Sequence, residues 1–159
     1  MHLASQLARI LCAEPLFVIN SPMSDFPTSD MQLTCHLVVS DVAASVSWYR
    51  DILGAELVRE YGGTSAVFRL LGQWLLITSG GPPTVDKPGV SFAPPDPATA
   101  SSQLIFRVPD AQAARAAYDT LSARGAVFIA PPVHYDHGET RAFFRDPDNH
   151  LFEISALDA

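Results

Sequence analysis

Hydrophobic and polar positions follow the same order twice along the chain. In the first copy an apolar run over residues 33–39 ends shortly before Asp41, and in the second a similar run ends at Asp110. Aspartate suits the N-cap of a helix, because its carboxylate accepts hydrogen bonds from the free amide groups of the first turn. Each half of the chain is therefore predicted to begin with a strand that leads into a helix.

The segment after each aspartate has the periodicity of an amphipathic helix. Its apolar residues recur three or four positions apart, which places them in one stripe. Each helix is predicted to end at a glycine, Gly54 or Gly125, because a left-handed C-cap disfavours a Cβ atom. The stripes consist of Val42, Val46, Tyr49 and Leu53 in the first half and of Ala114, Ala117, Tyr118 and Leu121 in the second.

Three more strands are predicted after each helix. The first is a single strand, and the other two form a hairpin. The second hairpin turns at Asp146-Pro-Asp-Asn149, where proline fixes φ and asparagine tolerates a tight bend. Each half thus has the order βαβββ. The predicted strands are 56–59, 65–71 and 73–78 in the first half and 127–130, 140–145 and 150–155 in the second.

The composition is that of one globular domain with an acidic surface. The chain has 159 residues, of which 48% are hydrophobic and 17% are charged, so there is ample material for a core. The net charge is −7 and no basic stripe is visible, which argues against nucleic acid and anionic membranes as partners. Cys12 and Cys35 are isolated, which is typical of reduced thiols in a cytoplasmic protein.

The repeat also predicts the domain organisation. Residues 1–31 are expected to form a loosely ordered N-terminal extension, and residues 32–156 a single domain. Within it, module one covers residues 32–79 and module two covers residues 102–156. Residues 80–101 between them are rich in glycine and proline. Such a long connection links half-domains or covers a site, and here it can do both.

The stretch FRDPDNHLFEI at residues 144–154, placed after this repeat, resembles the vicinal-oxygen-chelate superfamily of glyoxalase, bleomycin-resistance and dioxygenase-like proteins. The resemblance covers residues 32–156. It implies an α+β fold in which two tandem βαβββ modules form curled mixed sheets around a shared cavity. It further implies that four strand positions, two in each module, hold a divalent metal in the metal-dependent members. Other residues that carry the resemblance are Asp41, Trp48, Tyr49, Gly54, Phe106, Val108, Asp110 and Gly125.

Matching the two halves places the four metal positions at Thr34, Ile77, Gln103 and Glu153. Glu153 is a sound ligand for a hard or borderline cation, and Gln103 can offer a carbonyl oxygen. Thr34 is a poor ligand and Ile77 cannot ligate at all. We therefore expect no tightly bound catalytic metal, while a weakly bound divalent metal stays possible through Gln103 and Glu153.

His36 leaves three interpretations open. Strand side chains alternate, so His36 shares a face with Thr34. The ring can hydrogen-bond a neighbour, contact a ligand, or complete a shifted metal site with Gln103 and Glu153. The same spacing rule predicts that Trp74 faces away from the cavity. A loop containing two further histidines, 134 and 137, is expected to be solvated.

Glu153 needs a partner if it lies in an apolar cavity without a metal. A buried carboxylate is costly, and its pKa rises unless a cation or a hydrogen-bond donor relieves it. Arg141 or Arg145 on the adjacent predicted strand can supply the charge, as can a cationic ligand. A structural pair of Glu153 with one of these arginines is an equally open interpretation.

Two functions from different classes follow. The favoured one is a protein that binds a small molecule in the cavity without chemistry. The alternative is a lyase, isomerase or dioxygenase in which Glu153 is catalytic and acts with Gln103 and possibly His36 on a weakly bound divalent metal. Under either function we expect a homodimer, because members of the resembled family often pair modules across chains. The expected ligand contacts are Thr34, His36, Ile77, Gln103, Arg141 and Glu153.

Overall fold

A computed structural model describes residues 26–158 of the chain. Its contacts divide the chain between Gln32 and Leu33, and within residues 26–158 every helix and strand belongs to the part that begins at Leu33. No helix within residues 26–158 is long and apolar enough to cross a membrane. Cys12 and most of the predicted N-terminal extension lie outside the described residues, so the expectations for that extension stay predictions.

Each module has the predicted order of elements. The α+β fold of two tandem βαβββ modules is confirmed, with one short additional strand in module two where a loop was predicted. Module one comprises β1 (Thr34–Val39), α1 (Val42–Asp51), β2 (Glu56–Tyr61), β3 (Ser65–Leu70) and β4 (Gln73–Ser79). Module two comprises β5 (Gln103–Arg107), α2 (Ala111–Arg124), β6 (Val127–Phe128), β7 (Val133–Tyr135), β8 (Glu139–Arg145) and β9 (Leu151–Leu157).

Each module forms its own mixed sheet. The strand order is β1-β4-β3-β2 in sheet one and β5-β9-β8-β6 in sheet two, where β7 pairs with β8. In both sheets the first strand pairs in parallel with the last, and all other pairs are antiparallel. The helix that follows the first strand of each module makes the long crossover that parallel strands require. Strands β1 and β5 are therefore both edge strands.

The helix ends follow the predicted capping, with one difference. Asp41 and Asp110 each accept a hydrogen bond from the backbone amide three residues later, at 3.0 and 2.8 Å. Gly125 is the C-cap of α2 and has a left-handed φ of 103°. Helix α1 instead has its C-cap at Ile52, a right-handed residue two positions before the predicted glycine. Gly54, with a φ of 79°, then redirects the chain into β2.

Each sheet has one side packed under its helix, the helix face, and one opposite side, the open face. Alternation along β1 places Leu37 and Val39 on the helix face, where both are buried, and Thr34 and His36 on the open face. The predicted common face for Thr34 and His36 is thus confirmed. In sheet two the same alternation buries Phe152 and Ile154 on the helix face.

The two helix faces share one hydrophobic core. Trp48 of α1 lies with its ring centroid 6.4 Å from that of Phe144 and 6.0 Å from that of Phe152. Tyr49, also from α1, contacts Phe152 at 6.4 Å, and all but Trp48 are fully buried. A helix of module one therefore packs against strands of module two, and neither module buries its core alone.

The turn between β8 and β9 joins the modules by hydrogen bonds, and we call this contact the inter-module clamp. The Tyr49 hydroxyl donates to Asp146 Oδ2 at 2.6 Å. Asp148 accepts from the Ser40 amide at 2.7 Å and from the Ser45 hydroxyl at 3.2 Å. Burial, together with the charge of Asp146, raises the pKa of Tyr49 well above its ordinary value. The tyrosine therefore stays a neutral donor.

Asp146 also shapes the turn itself. Its Oδ1 accepts from the amides of Asp148 and His150 at 3.0 and 2.8 Å, and its Oδ2 contacts His150 Nδ1 at 2.8 Å. Asn149 adopts a left-handed φ of 70°, as its place in the predicted tight bend requires. The side chain of Asp146 is completely buried. Its hydrogen bond from the Asp148 amide is buried, and the two from His150 are partly buried.

The connection between the modules folds against sheet one. Gly81 and Phe92 exchange two backbone hydrogen bonds of 2.9 Å, which closes a loop. Lys87 holds this loop by donating to the carbonyl of Pro82 at 2.7 Å and by lying 4.7 Å from the Phe92 ring centroid. The Phe92 ring meets His36 edge to face at 5.2 Å. The loop thus covers part of the open face of sheet one.

Candidate functional site

Glu153 occupies the centre of the open face of sheet two. It pairs with Ile105 on one side and with Phe143 on the other, and it is only 3% exposed. The Gln103 side chain donates from Nε2 to Glu153 Oε2 at 2.7 Å. The sequence expectation that Gln103 and Glu153 share one face is therefore realised as a direct hydrogen bond.

The surroundings of Glu153 favour its neutral form more than water does. Burial raises its pKa, and the nearby carboxylate of Glu139 acts in the same direction. The guanidinium groups of Arg141 and Arg107 and the hydrogen bond from Gln103 lower the pKa in part. The predicted partner Arg141 is thus close to Glu153, whereas Arg145 donates to the carbonyl of the turn at 2.7 Å.

A row of polar side chains crosses the same face one step beyond Glu153. Arg107, Ser155 and Arg141 are register partners on β5, β9 and β8. Arg107 donates to the Ser155 hydroxyl at 3.1 Å, and Ser155 donates to Glu139 Oε1 at 2.8 Å. Glu139 lies 3.8 Å from Arg107 and 3.6 Å from Arg141. The hydrogen bonds from Ser155 and His137 and the two guanidinium charges lower the pKa of Glu139.

Sequence reasoning missed Arg107, Glu139 and Ser155. Two of them could have been found from the alternation of side chains along a strand. Arg107 lies four residues after Gln103, and Ser155 lies two residues after Glu153, so each shares a face with a predicted residue. Glu139 was assigned to a solvated loop, but β8 begins at Glu139 and β7 pairs with it. Residues 133–135 form that strand in place of the predicted loop.

Two of the predicted residues of module one, Thr34 and His36, lie on the open face of sheet one. His36 contacts the Thr78 hydroxyl through Nε2 at 2.8 Å, and partial burial lowers its pKa. Its other neighbour is Phe92 of the covering loop. Of the three interpretations left open for His36, the structure shows the hydrogen bond with a neighbour. Thr34 lies two residues away on the same face.

The prediction that Ile77 faces the cavity is wrong. Ile77 pairs with Leu37 and is fully buried on the helix face, whereas Leu76 pairs with His36 on the open face. Trp74 pairs with Thr34 and also lies on the open face, contrary to its predicted orientation. Both errors have one cause. The turn before β4 has two residues and the turn before β9 has five. Aligning β4 with β9 across turns of different length shifted β4 by one residue, and a shift of one residue assigns each side chain to the opposite face of the sheet.

The residues that structurally match the four metal positions are Thr34, Leu76, Gln103 and Glu153. Leu76 has no atom that can ligate a metal, and Thr34 is a poor ligand. Gln103 and Glu153 are hydrogen-bonded to each other, with Gln103 as the donor and Glu153 as the acceptor. No group of three or more histidines, cysteines, aspartates or glutamates within residues 26–158 is placed to hold a metal ion. This donor set does not fit a tight centre with three or four protein ligands.

An apolar pocket of about 470 Å³ lies where the edge strands of the two sheets approach each other, and we call it the seam pocket. Its size is within the range of small-molecule sites, roughly 300–1,000 Å³. Cys35 lines it as a free thiol whose pKa is raised by burial, which suits a small apolar residue better than a nucleophile. The pocket is lined by Leu33, Thr34, Cys35, Leu70, Leu71, Gln73, Trp74, Leu75, Leu104, Ile105 and Phe106.

Several solved structures have a fold similar to that of this chain. A glyoxalase/bleomycin resistance protein/dioxygenase from Nocardioides matches with a TM-score of 0.67 and 24% identity over 82% of this chain and 85% of that chain. Lactoylglutathione lyase from Agrobacterium tumefaciens matches with a TM-score of 0.62 and 20% identity, over 82% and 95%. The fosfomycin resistance protein FosX from Listeria monocytogenes matches with a TM-score of 0.59 and 19% identity, over 82% and 96%.

Sequence comparison gives the family. The metallothiol transferase FosB from Staphylococcus epidermidis is 54% identical over 39 residues, which is 24% of this chain and 27% of that protein. The match therefore spans about a quarter of the curated relative. A family model described as the Glyoxalase/Bleomycin resistance protein/Dioxygenase superfamily matches residues 32–154. With its two βαβββ modules and the buried Glu153 on the last strand, the chain belongs to that superfamily.

Proposed function

We propose that this protein binds a small molecule over the open face of sheet two, without a tightly held catalytic metal. The observation that carries the proposal is Glu153, a buried carboxyl group held by Gln103 at 2.7 Å with no metal-ligating residue at the matching position of module one. Polar anchors within a mostly apolar site are typical of small-molecule binding. The seam pocket beside Ile105 supplies the apolar part.

Similar proteins support a small-molecule ligand. Their names include a lactoylglutathione lyase, a fosfomycin resistance protein and a metallothiol transferase. All of these names describe action on small molecules. The identities are low or the match is short, so the reaction of any one relative is not carried over to this chain.

The metal content of the purified protein tests the proposal first. After incubation with Ni, Zn, Mn and Fe(II) and desalting, we expect far less than one metal ion per chain, because the donor set offers two oxygen ligands at most. Glu153→Ala should retain the same small amount, and the exposed Glu60→Ala serves as a matched control. Stoichiometric metal that disappears only in Glu153→Ala would contradict the proposal.

A panel of metabolites and antibiotics then tests ligand binding. A compound that binds only the folded protein raises the melting temperature, and the stabilisation grows with the logarithm of its concentration over its Kd. We expect some compounds to raise the melting temperature of the wild type. The rise should be smaller in Gln103→Ala and unchanged in Glu60→Ala. Stabilisation that is identical in all three proteins would place the ligand elsewhere.

Glu153→Gln should stabilise the empty protein at neutral pH. The folded pKa of Glu153 is raised above the ordinary value of 4.5, so the glutamate favours folding below pH 4.5 and this contribution is lost as pH rises through the folded pKa. Glutamine has nearly the same shape and carries no charge at any pH. We expect a higher melting temperature for Glu153→Gln at pH 7 and a smaller difference at pH 4, measured by circular dichroism. A lower melting temperature at pH 7 would show that the charge is well compensated.

The raised pKa also favours a second candidate function. Burial raises the pKa of Glu153, and a buried carboxylate with a raised pKa is a stronger base than a free one, which suits general base catalysis. In that case the protein is a lyase, isomerase or dioxygenase in which Glu153 moves a proton, Gln103 orients it and a weakly bound divalent metal assists, with His36 as a possible further ligand. Glu153→Gln would then abolish turnover of a substrate found in the panel, and full turnover in that variant would exclude this role.

We propose a homodimer in the cytoplasm. Exposed apolar side chains at Leu33 (87%) and Leu71 (78%) border the seam pocket, and Val127 (75%) lies on the edge strand of sheet two. Covering such side chains is a common reason for self-association. Sedimentation at high concentration should give the mass of two chains, and a monomer there would exclude the dimer. The free Cys35 is consistent with a reducing compartment.

A further inference from the structure

The seam pocket and the two arginines lie next to each other on one strand. Ile105 lines the pocket, and Arg107 follows it two residues later on the same face of β5. Two residues along a strand span about 6.6 Å. A molecule seated in the pocket can therefore reach the guanidinium group of Arg107 with a short extension.

Both guanidinium groups keep hydrogen-bonding capacity. Arg141 Nε is buried and has no hydrogen-bond partner among residues 26–158. The carboxylate of Glu139 lies 3.6 Å from it, which is an ion pair but too long for a hydrogen bond. Arg107 donates from NH1 to Ser155, and its side chain is 59% exposed. The buried Nε is out of reach of a ligand, but the Arg141 side chain is 30% exposed, so the terminal amino groups of both arginines remain as donors toward the open side of the sheet.

Two aromatic side chains next to Arg141 restrict the position of its guanidinium group. Its Cζ lies 4.4 Å from the ring centroid of Tyr135 and 5.9 Å from that of Phe143. Aromatic faces hold a cation in this manner and shield it from water. A planar guanidinium group fixed between two rings is preorganised for a carboxylate, which it binds through parallel N–H bonds.

The seam pocket has no charged residue in its lining. Its polar side chains are Thr34, Cys35 and Gln73, and the remaining residues are aliphatic or aromatic. An apolar group is therefore the favoured occupant, because a charged group there would lose its hydration without a partner.

We propose that the ligand is an amphipathic organic carboxylate, with its apolar body in the seam pocket and its carboxylate against the terminal amino groups of Arg107 and Arg141, beside Glu139. This inference rests on the proposed binding function and adds the chemical class of the ligand. Glu139 already shows that a carboxylate fits between the two guanidinium groups, at 3.8 and 3.6 Å. The ligand carboxylate takes the spare donors on the open side, beside Glu139.

Three probes of equal chain length test the charge preference. Octanoate, 1-octanol and octylamine are titrated into the full-length protein at pH 7 and followed by calorimetry. We expect octanoate to bind at least about tenfold more tightly than 1-octanol, since a charge-assisted hydrogen bond contributes about 1.5–3 kcal/mol. Octylamine should bind more weakly than both. Equal affinity for octanoate and 1-octanol, or no binding of octanoate, overturns the proposal.

Arginine variants locate the carboxylate. Arg107→Gln and Arg141→Gln should each weaken octanoate binding about tenfold and leave 1-octanol unchanged. Arg59→Gln on β2 is the matched control and should bind like the wild type. Arg141→Lys keeps the charge and should recover part of the affinity, which guards against a folding defect in Arg141→Gln. An equal loss for octanoate in Arg59→Gln overturns the assignment of the site.

The outcome separates this inference from the proposed function. If panel compounds stabilise the wild type but not Gln103→Ala while octanoate shows no preference over 1-octanol, the binding function stands and the carboxylate assignment fails. If octanoate binds and depends on both arginines, both are supported. If neither octanoate nor any panel compound binds, both fail.

Discussion

Replacing Asp146 by alanine is expected to lower the free energy of unfolding by about 3–5 kcal/mol, in the range for breaking a buried charged network. The side chain of Asp146 is completely buried. It accepts from the Tyr49 hydroxyl, from His150 Nδ1 and from two backbone amides of the turn. Alanine leaves the Tyr49 hydroxyl and the Asp148 amide buried without an acceptor and removes the acceptor of the two partly buried His150 donors. Each fully buried group without a partner costs about 1–3 kcal/mol.

Urea denaturation of Asp146→Ala, Asp146→Asn and Asp119→Ala measures this effect. Asparagine keeps one acceptor oxygen and should lose less stability than alanine. Asp119 is exposed on α2, so Asp119→Ala should change the free energy of unfolding by less than about 0.5 kcal/mol. A loss below about 1 kcal/mol in Asp146→Ala would show that water replaces the aspartate and that the inter-module clamp contributes little.

The turn at residues 146–149 has two roles, and only one of them can be predicted from the local sequence. The turn chemistry alone predicts a tight bend, which local rules of proline and asparagine describe well. The two aspartates have a second role that local rules do not reveal. Asp146 and Asp148 accept hydrogen bonds from residues about one hundred positions earlier, in module one.

Local patterns predicted the elements of the fold because each depends on near neighbours. The N-caps Asp41 and Asp110 and the C-cap Gly125 are read from a few adjacent residues, and all three have the predicted role. Helix α1 differs, because its C-cap is Ile52 and its glycine lies two residues further on. Helix ends fray, so a difference of one or two residues is common.

The candidate site was predicted less completely, because it depends on strand register. A slip of one residue exchanged Leu76 for Ile77, and such a slip moves a side chain to the other face of the sheet. Gln103 and Glu153 were assigned to a common face, and in the structure a hydrogen bond joins them. Register across hairpins of different turn length is fixed only by the folded ladder.

The charge of the site is another property that only the fold reveals. Arg107 lies on β5 and Glu139 and Arg141 lie on β8, about thirty residues later, and the three meet around Ser155 of β9. Taken singly, each is an ordinary charged residue of a strand or a loop. Their meeting on one open face beside Glu153 is the basis of the carboxylate preference that we propose.

Replacing Phe152 by alanine is the second change for which we expect a large loss, about 3–5 kcal/mol, as for other buried phenylalanines. Phe152 is fully buried on β9. Its ring lies 5.2 Å from Phe144, 6.1 Å from Phe106 and 6.0 Å from Trp48 of the other module. Alanine at this position opens a cavity between the two modules that neither can fill without moving the other.

Thermal and urea unfolding of Phe152→Ala, Phe152→Leu and Phe92→Ala tests this expectation. Leucine fills most of the space and should cost less than about 2 kcal/mol, while Phe92, which is 37% exposed on the connecting loop, should cost about 1 kcal/mol or less. A double-mutant cycle with Trp48→Leu and Phe152→Leu isolates the contact between the modules. We expect a coupling energy of about 0.5–1.5 kcal/mol, the range for aromatic pairs. Additive losses in that cycle would mean that the modules are held together by the inter-module clamp and the remaining core, with no specific contribution from these two rings.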